Sequence, residues 1–349
     1  MKFFVTGGAG FIGNYLTAKL FDDGHDVTIF DNFSSSSKNG ITNLLENGIS
    51  LVTGDILDYD LLLKSMSNYD FVIHLAAQTS VSQSIADPKT TTDIIVDGTV
   101  NVLKSCVKTN IKNLIFPSSA AVYGNSPDAP ISENSQLNPL SSYGASKLVA
   151  EHNLQVFSKF FGLNCISFRL FNAYGNGQPT DTGVIRKFLK NISEEAPLEI
   201  FGDGVQTRDF VHISDVIEAF YCAIRNIDTK RGEIYNIGSG SATSINELSS
   251  LLISSKGKDL QVIHKPALEG EIKDSKADIS LAENDIGYSP QVSLSDGLAS
   301  LVWLYLVPRM RFAIENNNIE VMISIEPSKI DIILPSINPY NTFGATGSR

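Results

Sequence analysis

The segment SSYGASKLVAE, residues 141–151, sets Tyr143 four positions before Lys147. In a helix that spacing puts both side chains on one face. A free phenol has a pKa of roughly 10 and holds its proton at neutral pH. An ammonium beside it, joined by a second positive charge, favours the phenolate. A fall of about three units takes about 4 kcal/mol of differential stabilisation, which two cations in a partly desolvated cleft can supply. A tyrosine tuned in this way can take a proton from an alcohol while hydride leaves the adjoining carbon. A lone YxxxK reads better as an amphipathic helix with a half-buried Tyr and a solvated Lys, so its meaning depends on what lies upstream. The apolar run NLIFPSS, well upstream of Tyr143, ends in Ser118 and Ser119. A hydroxyl at such a strand end can bind a substrate oxygen.

A glycine pattern supplies the second cation. TGGAGFIG carries Gly7, Gly10 and Gly13 between an apolar strand and a helical stripe of Ile12, Leu16 and Leu20. The glycines permit a tight turn, close approach of a phosphate and close helix packing, and the helix N-terminus faces the pyrophosphate. The next strand, one helix beyond Gly13, ends in Asp31. An acid there accepts both ribose hydroxyls and repels a 2′-phosphate, which favours NAD over NADP. Asp55, in TGDI, is placed to accept from the adenine amino group, and HLAAQTS puts the small Ala76 and Ala77 where a strand end passes the cofactor.

The elements that must position these groups alternate. KFFVTG, DVTIFD, ISLVTGD, FVIHLAA, NLIFPSS and NCISFRL are short, β-branched and aromatic runs. Helical stretches lie between most of them, one marked by Val96, Val100, Leu103 and Val107. Continuous apolar strands alternating with helices predict a doubly wound parallel sheet, a Rossmann α/β fold, with ligands at the carboxyl ends of its strands. After about residue 175 the pattern loosens into a Gly/Pro/Asn loop and mixed elements that include EIYNIGSG. The expected organisation is a cofactor domain over 1–175 and a smaller mixed α/β substrate-binding lobe over 176–308, some of whose segments return to the first domain. Residues 309–349 form a tail without an assigned role, ending in GATGSR, which resembles a cloning remnant.

Composition narrows the partners. A net charge of −11 and a pI of about 4.9 argue against a nucleic-acid binder, which needs a basic face. Cys106, Cys165 and Cys222 sit among apolar neighbours without CxxC spacing, as buried thiols in a reducing compartment do. The histidines show no metal-ligand spacing, so no metal is expected. The apolar run LVWLYLV is too short to span a bilayer. A cytoplasmic enzyme acting on a small molecule, without a membrane partner, is the expectation.

In order along the chain, TGGAGFIG, DNFSS, GDI, HLAAQTSV, SSAAVYG, YGASK, RLFNAYG, TRDFVHISD and YNIGSG resemble the extended short-chain dehydrogenase/reductases. Within them the chain is most similar to nucleotide-sugar epimerases of the UDP-hexose 4-epimerase type. The resemblance implies Tyr143 as base, Lys147 as its electrostatic partner and ribose ligand, and Ser119 as the hydroxyl on the sugar oxygen. It implies a cofactor set that adds Phe11, Ile12, Asn32, Ile56, Leu75, Ser118 and Phe171 to the residues above. On the substrate side it implies Ser80, Asn172, Val184 and Arg208 at the sugar nucleotide, Phe201 near its base, and Ser275 at the sugar pocket. The implied substrate is a UDP-sugar and the implied assembly a homodimer. Sugar-nucleotide 4,6-dehydratases carry an Asp-Glu pair after the catalytic hydroxyl; here those positions are Ala120 and Ala121, which disfavours dehydration. Three further departures are Ile95 for an Asn, Leu268 for an Arg that contacts the diphosphate, and Ser275 for a bulkier residue, which leaves room for an N-acetyl group. A UDP-glucuronate 4-epimerase or decarboxylase is the alternative within the family. A non-catalytic NAD-binding sensor or scaffold is the alternative outside it.

Overall fold

The computed structural model describes residues 1–179, 182–256, 260–267 and 272–302. Six apolar runs form the strands β1 (Lys2–Thr6), β2 (Asp26–Asp31), β3 (Ser50–Thr53), β4 (Phe71–His74), β5 (Asn113–Ser119) and β6 (Asn164–Leu170). A seventh, β7 (Glu233–Ile237), joins them in the order 3-2-1-4-5-6-7, with every pair parallel. EIYNI thus leaves the small lobe and extends the large sheet beside β6. Its local pattern does not distinguish the two places; the register of Tyr235 on Phe168 and Ile237 on Leu170 does.

Successive side chains on a strand point to opposite faces, and β1 shows both destinations. Phe3 and Val5 join Leu16 and Leu20 of helix α1 (Phe11–Asp22) on one face of the sheet. Phe4 joins Val102 and Leu103 of α2 (Gly98–Thr109) and Ala150 and Leu154 of α3 (Ser142–Phe161) on the other. All of these side chains are 0% exposed, which is why the strands read as unbroken apolar runs. The stripe beginning at Val96 is not α-helical throughout: Asp93–Asp97 form a π-helical turn, and α2 follows. Helix α3 starts where its sequence says it should, with Ser141 accepting a hydrogen bond from the amide of Gly144 at 3.1 Å.

The order of the sheet reverses at β1, whose neighbours are β2 and β4. The crevice outside the carboxyl ends of β1 and β4 is the ligand position this topology creates. The helices that follow include α4 (Val184–Ser193), α5 (Ile213–Asn226) and α6 (Ile245–Lys256). With three two-stranded ribbons, α4 and α6 make the smaller lobe. Its own core holds Phe188, Leu189, Ile200, Phe210, Leu248 and Leu252, with Leu298 from the helical residues 294–302. Helix α5 returns to the large sheet, where Val216 and Phe220 pack with β1 and β7 residues. Among the described residues, no helix is long and apolar enough to cross a membrane.

Candidate active site

Ser119, the last residue of β5, and Tyr143, in the first turn of α3, meet across the connection between those two elements. The Ser119 hydroxyl stands close enough to the Tyr143 phenol to lower its pKa. The Ser119 oxygen accepts from the amide of Ala121 at 3.1 Å, which leaves its own proton for a ligand. One turn on, Lys147 is 3% exposed. Its Nζ donates to the Pro117 carbonyl at 2.7 Å, lies 4.4 Å from the centre of the Phe116 ring and 5.9 Å from that of Tyr143. The predicted trio therefore converges at one strand end.

The electrostatics differ from the expectation in one respect. Burial pushes the Tyr143 phenol up from its ordinary value, and the Ser119 hydroxyl opposes this. The same burial brings Lys147 down to about 7, against the pull of Glu151. The desolvation that makes each charge effective also disfavours both charges. In the protein alone the phenol is therefore not acidic, and the second cation required is the one a bound ligand brings.

Gly7 has φ of +68°, and a Cβ there would meet the amide nitrogen of Ala76 at 2.5 Å. A Cβ on Gly13 would meet the Gly7 carbonyl at 2.4 Å. The loop, the start of α1 and the end of β4 are thus packed backbone to backbone. Gly10 caps α1 without a side chain, so the first-turn amides, where Phe11 and Ile12 lie, receive no side-chain cap. Asp31 ends β2 with its carboxylate accepting from the amide of Ala9 at 3.0 Å, from that of Phe33 at 2.8 Å and from the Ser36 hydroxyl at 3.1 Å. Two of its contacts come from the loop that follows β2, and one ties it to the glycine turn. Asn32 donates to Asp55 at 2.9 Å, joining the two polar ends of β2 and β3. Leu75, Ala76 and Ala77 follow β4, and Ile56 is buried. The Ser118 hydroxyl is buried without a hydrogen-bond partner. A glycine cradle, an uncapped helix start, an acid at the end of β2 and an orphaned hydroxyl at the end of β5 fit a dinucleotide.

Beyond the end of β6 a cavity of about 340 Å³ opens in the small lobe. Asn172, Val184, Phe201 and Arg208 line it, together with Lys187 and the aromatic Tyr174 and Phe210. Two buried polar atoms of its lining residues, the Tyr174 hydroxyl and Gln178 Oε1, have no hydrogen-bond partner. Ser119, Tyr143 and Lys147 do not line it. Phe171 lies in sequence between the end of β6 and the cavity residue Asn172; it is 5% exposed, and its amide donates to the Ile237 carbonyl at 2.9 Å. Ser80 caps the short helix Val81–Ala86 by accepting from the Gln83 amide, a structural task its sequence context did not announce. Ser275 is buried and stands outside the cavity lining. Ile95 is buried in the apolar core beside Ile56 and Val102. Leu268 and the 309–349 tail lie outside the described residues.

Three polar groups near the site lie inside the quoted motifs without having been given a role. His74 ends β4, bridging Thr6 Oγ1 at 2.7 Å and Thr99 Oγ1 at 3.0 Å; burial, with Lys147 nearby, takes it to about 3, so it is a neutral strut. Asp209, 0% exposed, accepts from the amides of Ser239, Gly240 and Ala277 and from the Ser239 hydroxyl. Its backbone carbonyl accepts from both Asn172 nitrogens. Glu151 pairs with Arg169 through the Arg Nε and Nη2, with a closest approach of 2.8 Å. Polar residues inside apolar runs were the available signal for His74 and Asp209, and i, i+4 spacing from Lys147 for Glu151. Among the described residues, no group of three or more His, Cys, Asp or Glu side chains could hold a metal ion.

The profile of the NAD dependent epimerase/dehydratase family matches residues 3–238. The UDP-glucose 4-epimerase of Mycolicibacterium smegmatis is 34% identical over 309 residues, 86% of this chain and 97% of its own length. The UDP-glucose 4-epimerase of Thermotoga maritima, solved with UDP-glucose, superposes with a TM-score of 0.83 at 32% identity, covering 89% of this chain and 100% of its own. The UDP-glucuronic acid 4-epimerase of Bacillus cereus, solved with UDP-glucuronic acid and NAD, does so with 0.82 at 34%, covering 88% and 100%.

Proposed function

The chain belongs to the NAD dependent epimerase/dehydratase family, and we propose that it inverts C4 of a UDP-hexose through a 4-keto sugar. UDP-Glc and UDP-Gal are the principal pair, with UDP-GlcNAc and UDP-GalNAc accepted alongside them. The observation that carries this reading is Ser119 beside Tyr143, with Lys147 Nζ 5.9 Å from the Tyr143 ring centre and Ala120 and Ala121 following Ser119. Bound NAD supplies reversible hydride acceptance. Gly7, Gly10, Gly13, Asp31, Asp55 and Ser118 are the residues placed to hold it.

Tyr143 takes the proton of the C4 hydroxyl and gives it back, Ser119 orients that oxygen, and Lys147 supplies positive charge below the phenol. Asn172 and Arg208 hold the diphosphate at the cavity; a guanidinium suits such bidentate contact. No carboxylate follows Ser119 to drive elimination of water, so the keto sugar is reduced again rather than dehydrated. Ser275 leaves the sugar pocket open to an N-acetyl group.

The likeness to the Bacillus cereus enzyme makes UDP-glucuronate the second reading. Incubation with a panel of UDP-sugars, with the products resolved, tests both. Interconversion of neutral UDP-hexoses supports the first, turnover of UDP-glucuronate alone supports the second, and no turnover of any leaves a dinucleotide sensor. Val149, Val156 and Phe160 form an exposed apolar stripe on α3, Phe160 at 70% exposure. We read it as covered by a second copy of the chain, which sedimentation of the purified protein checks. The three buried free cysteines accord with a cytoplasmic enzyme.

A further inference from the structure

Lys147 is badly provided for as a buried ammonium. A carbonyl at 2.7 Å and two ring faces are weak compensation for lost water. The buried carboxylate on its own helical face is Glu151, one turn further along α3 and 1% exposed, whose charge pulls the lysine up. Glu151 is also the partner of Arg169 on β6, a 3% exposed guanidinium gripping both carboxylate oxygens. Arg169 in turn donates through Nη1 to the Tyr123 hydroxyl and the Glu133 carbonyl, each at 3.0 Å. Tyr123 donates to Asn236 of β7 at 2.6 Å. A chain of hydrogen bonds, charge-assisted wherever Arg169 donates, therefore runs from the outer strand of the sheet to a point one turn from the lysine.

We propose that Glu151, clamped by Arg169, is a positioning residue: its carboxylate holds Lys147 in the ammonium form that Tyr143 needs, and Arg169 holds the carboxylate still. The inference rests on the reading of Tyr143 as the base. Of the other groups facing Lys147, His74 on β4 is neutral and Tyr143 is protonated in the protein alone. On the segments packed across α3, Lys89 pairs with Asp93, Asp97 is exposed, and Lys104 and Lys108 on α2 point to solvent. Glu133 and Tyr123 lie behind Arg169. That leaves Glu151 as the described buried carboxylate acting on the lysine.

A buried ion pair can also be purely structural, and the test separates the two roles. Glu151→Gln removes the carboxylate but strands Arg169, whereas Glu151→Leu with Arg169→Met replaces both charges by apolar volume. We expect the alkaline limb of kcat against pH to move down by about one unit in both variants, with KM for UDP-hexose unchanged. The double variant should recover thermal stability that Glu151→Gln loses, and still keep the displaced limb. Glu151→Asp, which retains the charge, should restore the limb. Tyrosinate absorbance that is lost on Tyr143→Phe should titrate at higher pH in the double variant, a readout independent of turnover. A double variant whose limb and tyrosinate titration both coincide with the parent overturns the proposal, and this holds even if Glu151→Gln fails to fold. Full activity of Tyr143→Phe would instead overturn the catalytic reading beneath it.

Discussion

The hydroxyl of Ser119 stands beside the phenol of Tyr143 and lowers its pKa against the effect of burial, while the Ala121 amide holds the Ser119 oxygen at 3.1 Å. An oxygen placed between the two side chains can exchange a proton with either. Tyr143→Phe removes the proposed base, and general acid–base catalysis contributes about 10²–10⁴-fold. The expected outcome is a loss of turnover in that range with the dinucleotide retained, read as the nucleotide released when the purified protein is denatured. Ser119→Ala should lose less, because Tyr143 remains. A near-normal rate for Tyr143→Phe would remove it as the base.

The depressed Lys147 couples stability to pH. Its folded value of about 7 lies below the ordinary 10.5, so between those values the unfolded chain binds the extra proton. Stability from this group therefore rises as pH goes from about 7 to the ordinary lysine value, and its full cost is present below 7. Lys147→Met should raise the melting temperature at pH 6 and lose that advantage near pH 10, while abolishing turnover. Glu151 keeps Arg169 as its partner in this variant, so no new charge is stranded. Melting curves at the two pH values check it; an advantage that grows with pH would contradict the assignment.

Gly13 tests the cofactor cradle. A methyl there would meet the Gly7 carbonyl at 2.4 Å and the Gly8 Cα at 2.6 Å, both backbone atoms without freedom to move aside. Gly13→Ala should cost about 1–3 kcal/mol of stability by overpacking and displace the first turn of α1 from the glycine loop. Purified protein should then carry less NAD than the parent. Cofactor content equal to the parent's would show that the loop tolerates the shift and that the pyrophosphate sits elsewhere.

Ser275 is the proposed handle on sugar choice. Ser275→Tyr should abolish turnover of UDP-GlcNAc and UDP-GalNAc while UDP-Glc and UDP-Gal are still interconverted. The comparison is made on kcat/KM for the two pairs, with melting temperature as the control for a buried position. N-acetyl substrates that survive the substitution would place the steric limit at another residue.

The amino-acid order by itself determined the local chemistry. Strand periodicity, the glycine turn, Asp31 at a strand end, the Ser141 cap and the Tyr143–Lys147 spacing are short-range features, because the two backbone periods and the special roles of Gly and Ser act within a few residues. What the folded chain alone decided is long-range. The place of β7 depends on its register against β6, the approach of Tyr143 to Ser119 on how α3 crosses the end of β5, and the Glu151–Arg169 clamp on a strand that begins only after α3 has ended. The direction in which Tyr143 and Lys147 shift belongs there too, since it is set by how much water the packed sheet excludes from both groups, a quantity no spacing of residues encodes.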